Sequence, residues 1–284
     1  MTQQLDPRAI KREQREQWNR AADGWRKHDE RFRQVTAPVT RRLLQLAGIS
    51  AGMRVLDIAS GTGEPALPAA EAVGPGGRVV LTDQSEEMLA VARQKAEARG
   101  LTNVEFRVAD GEELDAGDGE FDAVLCRWGI MFMPEPARCL RQARAALKPG
   151  GRIALAVWGP PERNPFFVLP MAILMKYADV PRPGPGEPGV FAFAERGRLE
   201  AVFTDAGFGG TMFDDMELPM AVFDSGHGFW GYLREMGPIA RHVAELSGEA
   251  RQKVGEEIAA AAAGGDPNGA VRLNGYTTLA SAAK

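Results

Sequence analysis

The sequence has very few of the residues that bind transition metals or form disulfides. Among 284 residues there are two cysteines, Cys126 and Cys139, and three histidines. No CxxC, HxH or HExxH spacing occurs among them, which argues against a disulfide framework and predicts no metal site. Both cysteines are therefore predicted to be small apolar residues of the core.

The sequence also lacks an excess of positive charge and a long hydrophobic run. Its formal net charge is −4, from 34 Lys and Arg against 38 Asp and Glu, so no basic field would attract a nucleic acid. The first residues are polar, and the apolar stretch at 166–175 is too short to cross a bilayer. We therefore predict a cytoplasmic protein with no nucleic-acid partner and no membrane span.

Short apolar runs alternate with helical stretches between residues 53 and 158. The runs are MRVLDIA, RVVLTD, VEFRVA, FDAVLC and RIALAVW, and helices are predicted over 64–73, 85–99 and 136–147. Strands buried on both faces and joined through helices pair in parallel by right-handed crossovers. The pattern predicts an α/β fold with a doubly wound, mostly parallel sheet. KPGG at 148–151 is predicted to be the turn before the fifth strand.

The segments on either side of this core are predicted to add a lid and insertions. They comprise an amphipathic helix at 8–33, a Pro- and Gly-rich loop at 181–189, a helix at 195–208, a strand at 211–218, an Ala-rich helix at 249–263 and a last strand that could close the sheet edge. We expect a single domain over 1–284, with a helical lid at 1–50, a ligand-binding core at 51–160 and substrate-side insertions at 161–284.

The stretch VLDIASGTGEP joins the first strand to the first core helix. A helix N-terminus carries unpaired backbone N–H groups, and glycines let a ligand approach them closely. Gly61 and Gly63 lie at that point. Because Gly61, Gly63 and Ala66 also satisfy the G-x-G-x-x-A pattern of dinucleotide sites, the loop alone leaves the ligand class open.

Acidic residues follow three of the predicted strands. Asp83 ends the second strand, where a carboxylate can accept both hydroxyls of a ribose; it could instead cap the next helix, although Ser85 could do so itself. Asp57 and Asp110 are predicted to point into the same crevice at the carboxyl ends of the strands. Three acids suit a cationic ligand containing adenosine better than a pyrophosphate, which they would repel.

Taken together, DIASGTG, the acid of VVLTDQS, the acid of RVADGEEL and LKPGGRIALAVW resemble the class I S-adenosylmethionine-dependent methyltransferases. Within them, the motifs are most similar to the branch of ubiquinone/menaquinone-biosynthesis methyltransferases. The resemblance covers residues 15–160 by its motifs and the rest by general layout. It implies a Rossmann-like sheet of seven strands, S-adenosylmethionine as cofactor, and methyl transfer to a largely hydrophobic small molecule.

The resemblance also implies a role for each matching residue. It places the methionine part at the loop from Asp57 to Gly63, the ribose at Asp83 and the adenine amine at Asp110. The other residues it implies around the cofactor are Trp25, Ala59, Ser60, Gly61, Gln84, Met88, Gly111, Glu112, Cys126 and Arg127. Ala59 replaces a glycine common in the family, which is tolerable if its φ is negative. Trp25 fits an aromatic residue closing over the cofactor, and it fits a buried helical stripe with Trp18 almost as well.

The expected chemistry requires little from the protein beyond alignment. Methyl transfer from a sulfonium is an in-line displacement that gains from orientation and from a dry site, so no protein nucleophile is needed. His227 is the candidate general base if the acceptor must lose a proton. Adaptable apolar residues are the candidate acceptor wall, namely Trp128, Met131, Phe167, Met171 and Trp230. The N-terminal helix and the insertion at 160–190 are candidate lids.

Two other functions remain open at this point. A nicotinamide-dependent oxidoreductase could use the same glycine loop, but none of Tyr177, Tyr232 and Tyr276 has the lysine of a Y-x-x-x-K pair. A protein of the same fold that binds the cofactor without methylating, such as a cyclase or scaffold, is also consistent with the sequence, because fold does not fix function.

Overall fold

A computed structural model describes residues 6–184, 186–236, 239–266 and 268–284. The strands are β1 (Arg54–Ile58), β2 (Arg78–Asp83), β3 (Val104–Val108), β4 (Phe121–Arg127), β5 (Leu147–Trp158), β6 (Gly209–Phe223) and β7 (Val271–Ala283). The helices are α1 (Pro7–Leu46), α2 (Ala66–Val73), α3 (Glu86–Ala98), α4 (Pro136–Ala146), α5 (Pro165–Leu174), α6 (Arg196–Asp205), α7 (Gly226–Leu233), α8 (Ile239–Glu245) and α9 (Gly248–Ala263).

All seven strands form one sheet in the order β3-β2-β1-β4-β5-β7-β6. The first five pair in parallel, and β7 pairs antiparallel with both β5 and β6. The predicted doubly wound, mostly parallel fold is thus confirmed. The expectation that the last strand closes the sheet edge is wrong, because β7 lies between β5 and β6 and β6 forms the edge.

The core follows from strands that are apolar on both faces. Val55, Leu56 and Ile58 of β1 are almost completely buried, as are Val79, Val80 and Leu81 of β2. Helices cover both faces of such a sheet, so its ligand site lies beyond the carboxyl ends of the strands. The strand order reverses between β1 and β4, which places the crevice beside the loop after β1.

The predicted turn at 148–151 is part of β5. Strand β5 already pairs with β4 at Leu147, and its register shifts between that residue and Arg152, so KPGG forms a bulge. Gly150 supplies the φ of +77° that the bulge requires. The local composition indicated a turn, but the residues on either side of it pair with β4 and keep the segment within β5.

The N-terminal helix is longer than its amphipathic pattern predicts, because it continues through Pro38 to Leu46. At Gly24 it packs against the turn that follows α7, where an added Cβ would lie 2.0 Å from the carbonyl oxygen of Glu235. Lys27 and His28 bond to the carboxylate of Glu235, at 2.8 Å each. Glycine in mid-helix is therefore required here by close helix packing.

The insertions contain helices that the sequence pattern did not predict, namely α5, α7 and α8. The helix predicted at 249–263 is confirmed as α9, and the Pro- and Gly-rich segment 181–189 is irregular over its described residues, with residue 185 outside them. None of the described helices is both long and apolar enough to cross a membrane.

Candidate active site

A cleft of about 140 Å³ opens at the carboxyl ends of the parallel strands. Most of the predicted site residues line it: Trp25, Ala59, Ser60, Gly61, Asp83, Gln84, Met88, Asp110, Gly111, Glu112, Arg127 and Trp128. The cleft is also lined by residues that were not predicted to belong to a site, among them Lys11, Gln14, Trp18, Phe32 and Glu64. The site is therefore built from strand ends on one side and from α1 on the other.

The carboxylate of Asp83 fixes the shape of the glycine loop. Its Oδ2 accepts from the backbone N–H of Gly61 at 2.8 Å, and its Oδ1 accepts from Ser85 N–H at 2.9 Å. Burial raises the pKa of Asp83, and the backbone hydrogen bonds counteract that effect. Ser85 caps α3 through its own hydroxyl, as predicted, which leaves Asp83 at the cleft wall rather than at the helix N-cap.

Ala59 does not meet the expectation of negative φ. Its φ is +55°, and the neighbouring cleft residue Trp128 has φ +57°. A left-handed conformation costs a residue with a Cβ roughly 1–2 kcal/mol. The Cβ of Ala59 lies against the backbone of Gly129, where an added Cβ would come within 2.4 Å of it. The loop thus accommodates alanine at the expense of local backbone strain.

Asp57 lies beneath the loop and does not line the cleft, contrary to the prediction that all three acids point into it. Its side chain is completely buried, and neither carboxylate oxygen has a hydrogen-bond partner among the described residues. Desolvation raises the pKa of Asp57 to about 8. The carboxyl group is therefore largely protonated at neutral pH, and it contributes no fixed negative charge to the ligand-free site.

The guanidinium of Arg127 lies in the cleft wall at the end of β4. Its centre is 4.9 Å from the ring of Trp128 and 5.7 Å from that of Phe32. Nη1 donates to the hydroxyls of Thr36 and Thr40 of α1, at 3.1 and 3.0 Å. Burial lowers the pKa of Arg127, and the nearby carboxylate of Glu64 is the largest effect that raises it.

Helix α1 closes the opposite end of the cleft. Lys11 Nζ lies 2.7 Å from Asp110 Oδ2 and also pairs with the fully buried carboxylate of Glu112. Gln14 Nε2 donates to the carbonyl of Phe132 at 2.7 Å. These contacts are between residues more than 90 positions apart, so local sequence patterns gave no signal for them. The only hint was the spacing of Lys11, Gln14 and Trp18 on one helical face.

Aromatic rings form the wall beyond the end of β4. Trp128 stacks on Trp158 with ring centroids 4.4 Å apart and planes 8° apart, and its Nε1 donates to Thr277 Oγ1 at 2.9 Å. Phe167 packs edge-on against Trp158, at 4.9 Å between centroids, and does not line the cleft. Phe167 thus belongs to the layer supporting Trp128 rather than to the cleft surface.

Several other predicted residues lie away from the cleft surface. Met131 and Cys126 are buried in the core, Gly63 is packed against α2, and Met171 and Trp230 are half-buried against the core. His227 is exposed on α7 and is not among the residues lining the cleft, so the structure does not bring it to the site. Both cysteines are buried and free, as expected.

The part of the chain that contains the glycine loop and the strand ends is similar to known methyltransferases. Residues 49–159 match a protein family described as "Methyltransferase domain". The ubiquinone/menaquinone biosynthesis C-methyltransferase UbiE of Pseudomonas putida is 41% identical over 122 residues, which are 43% of this chain and 48% of that protein. The chain therefore spans about half the length of this curated relative.

Solved structures share the fold at low sequence identity. A Bacillus halodurans C-125 protein described as a methyltransferase has a TM-score of 0.56 and 22% identity, over 86% of this chain and 98% of that one. The [4+2]-cyclase SpnF has a TM-score of 0.52 and 22% identity, over 88% of this chain and 81% of that one. At such identities the likeness supports the fold alone.

Residues 49–159 therefore form a methyltransferase domain of the class I, S-adenosylmethionine-dependent type. The 41% identity of this region to a ubiquinone/menaquinone C-methyltransferase confirms the resemblance drawn from the sequence motifs. S-adenosylmethionine as the cofactor is confirmed at the level of this domain family.

We expect the strain at Ala59 to be measurable. Ala59→Gly should raise the stability by up to about 1 kcal/mol, because glycine adopts positive φ without a Cβ clash and this gain exceeds its entropy cost. Ala90→Gly, in the exposed face of α3, is the control and should lower the stability by about 1 kcal/mol. Thermal unfolding of both variants measures the difference. Equal destabilisation by the two substitutions would show that Ala59 is not strained.

The pKa of Asp57 predicts a pH dependence of stability. Its folded-state pKa, about 8, exceeds the ordinary value of 3.8 for aspartic acid. The stability that the protonated carboxyl group contributes is therefore complete below about pH 4 and is lost as pH rises through 8. Asp57→Asn cannot ionise. The unchanged protein should lose stability between pH 5 and pH 8.5, and the variant should not lose this part. The free energy of unfolding of the variant minus that of the unchanged protein should therefore be roughly 2–4 kcal/mol larger at pH 8.5 than at pH 5. Denaturant unfolding at both pH values tests this, and parallel curves for the two proteins would contradict it.

Proposed function

We propose that this protein transfers a methyl group from S-adenosylmethionine to a carbon atom of a hydrophobic, quinone-type ring. The observation that carries the proposal is that one cleft contains both the glycine loop and acids at the strand ends and the aromatic ring of Trp128. The identity to a C-methyltransferase of quinone biosynthesis supports the carbon acceptor and its class. The bound cofactor would supply an electrophilic methyl group on a sulfonium.

The residues at the centre of the cleft fit the ribose and the backbone of this cofactor. Asp83 retains free lone pairs on both oxygens after accepting from Gly61 and Ser85, and a carboxylate so placed can accept two ribose hydroxyls. Gly61 has φ +52° and open space on its Cβ side, which allows close approach to the loop. Met88 and Gln84 would lie along the adenine, with Asp110 accepting from its amine.

The amino-acid end of the cofactor fits the region of Arg127 and Glu64. No acidic group among the described residues is within ion-pair distance of Arg127, and its buried Nε has no partner. Oε1 of Glu64 is likewise buried without a hydrogen bond. A guanidinium edge binds a carboxylate in a bidentate manner, and a carboxylate binds an ammonium, so together they suit a zwitterion.

The acceptor would lie against Trp128, whose orientation is fixed by Trp158 and Thr277. A flat, uncharged ring gains area and offset stacking on such a surface. Trp25 and Phe32, with centroids 4.9 Å apart, lie on the α1 side of the cleft and would exclude water from the reacting atoms. Alignment and exclusion of water are the contributions that this chain's residues would make to an in-line displacement.

The direct test is turnover. Formation of S-adenosylhomocysteine should be detected with a hydroquinone-type acceptor and should be absent without it.

Asp83→Asn should weaken binding of S-adenosylhomocysteine by about 10–100-fold, the loss expected for hydrogen bonds to a charged group, whereas Asp115→Asn, on an exposed loop, should not. Tight binding with no turnover on any acceptor would favour a non-methylating protein of this fold, and binding of NAD instead would refute the cofactor.

The role of Arg127 can be separated from general binding. 5′-Methylthioadenosine has the adenosine and thioether of the cofactor but lacks its amino-acid group. Arg127→Met should weaken S-adenosylhomocysteine by about 10–100-fold and leave methylthioadenosine within about twofold, since only the former has a carboxylate to lose. Arg41→Met, on the exposed face of α1, is the control. Calorimetry with both ligands measures the effect, and an equal loss for the two ligands would indicate a structural role only.

A further inference from the structure

The adenine end of the cleft is closed by the protein's own lysine. Asp110 Oδ1 accepts from Glu112 N–H at 2.9 Å, and its Oδ2 pairs with Lys11 Nζ at 2.7 Å. Glu112 Oε1 accepts from Glu135 N–H at 2.6 Å, and its Oε2 pairs with Lys11 as well. Each carboxylate oxygen of Asp110 and Glu112 is thus engaged, and one oxygen of each pairs with the ammonium of Lys11.

Two more contacts fix the same turns of α1 across the cleft. Gln14 donates to the carbonyl of Phe132, and the ring of Trp18 packs edge-on against Phe132 with centroids 5.4 Å apart. Lys11, Gln14 and Trp18 follow one face of the helix, so they act on the opposite wall as a unit. The first turns of α1 are therefore bound to the loops after β3 and β4 by ion pairs, a hydrogen bond and an aromatic contact.

The remaining space is small for the proposed cofactor. The cleft measures about 140 Å³, whereas pockets for drug-sized ligands occupy about 300–1,000 Å³. A ligand whose adenine amine donates to Asp110 would also compete with Lys11 for the same carboxylate. Entry at this end therefore requires the ion pair to open and the N-terminal turns of α1 to move.

We propose that Lys11 is an internal competitor for the adenine site, and that its pairing with Asp110 and Glu112 latches α1 closed until the cofactor displaces it. The inference rests on the proposed cofactor site. A ligand that binds only the open form has its apparent affinity reduced by the open fraction. Weakening the latch should therefore increase affinity, even though it removes a contact at the edge of the site.

The test compares Lys11→Met with Lys27→Met, a lysine of the same helix that pairs with Glu235 away from the cleft. In the ligand-free protein, Lys11→Met should accelerate hydrogen exchange of the amides at 8–20 at least several-fold, and Lys27→Met should leave them unchanged. By stopped-flow fluorescence, Lys11→Met should raise the association rate of S-adenosylhomocysteine about 3–10-fold and lower its dissociation constant correspondingly. A weaker complex, or exchange that does not change, would overturn the latch.

A third variant separates the latch from the binding site. Asp110→Asn also breaks the ion pair and should accelerate exchange at 8–20, but it should not tighten S-adenosylhomocysteine, because it removes the adenine acceptor as well. If the unchanged protein fails to bind this ligand, the proposed function fails. In that case the exchange measurements still decide on the latch: faster exchange in Lys11→Met upholds it, and unchanged exchange rejects it.

Discussion

The hydrogen bond from Gly61 N–H to the Asp83 carboxylate is the constraint on which the site depends. It joins the end of β2 to the loop after β1, and the bond from Ser60 N–H to Thr82 O, at 2.9 Å, continues the same junction. Because Asp83 is buried, the backbone amides that stabilise its charge are also held in place by it. The loop is therefore shaped before a ligand arrives, and little ordering remains for binding to supply.

The second constraint is the attachment of α1, which connects the cleft to the rest of the fold. Lys95 of α3 donates both to Asp29 of α1 at 2.6 Å and to Thr62 O of the glycine loop at 2.7 Å. At the other flank, the close approach at Gly24 binds the helix to the turn that follows α7. The middle of α1 is thus held on two sides. Its first turns are held across the cleft by Lys11, Gln14 and Trp18. Arg241 of α8 also bonds to Glu13 and Gln17, at 3.1 and 3.3 Å. The opening proposed above would therefore involve the first turns of α1 and leave its middle on the sheet.

The sequence predicts the parts of the site whose geometry is local. Gly61 and Asp83 could be assigned because parallel strands bring their carboxyl ends together whatever the rest of the chain does. Lys11, Gln14 and Glu64 could not, since their partners are chosen by how a long helix docks on the sheet. The same limit explains the KPGG segment and β7. Turn chemistry and strand propensity are local, whereas the bulge of β5 opposite β4 and the position of β7 beside β5 depend on long-range pairing. The position of His227 outside the cleft lining has the same cause, because α7 was not predicted.

The distribution of charge in the cleft favours a sulfonium amino acid over a dinucleotide as the ligand. Its described lining has the carboxylates of Glu64, Asp83, Asp110 and Glu112 against the cations of Lys11 and Arg127. A dinucleotide would bring two phosphates to this acidic surface, with only one cation, Arg127, not already paired to an acid. A sulfonium amino acid brings a net positive charge and a single carboxylate, which matches that cation. In the proposed methyl transfer, the aromatic rings around Trp128 would face the part of the cleft where the positive charge disperses. A dry apolar wall there would favour the reaction as well as the binding of its acceptor.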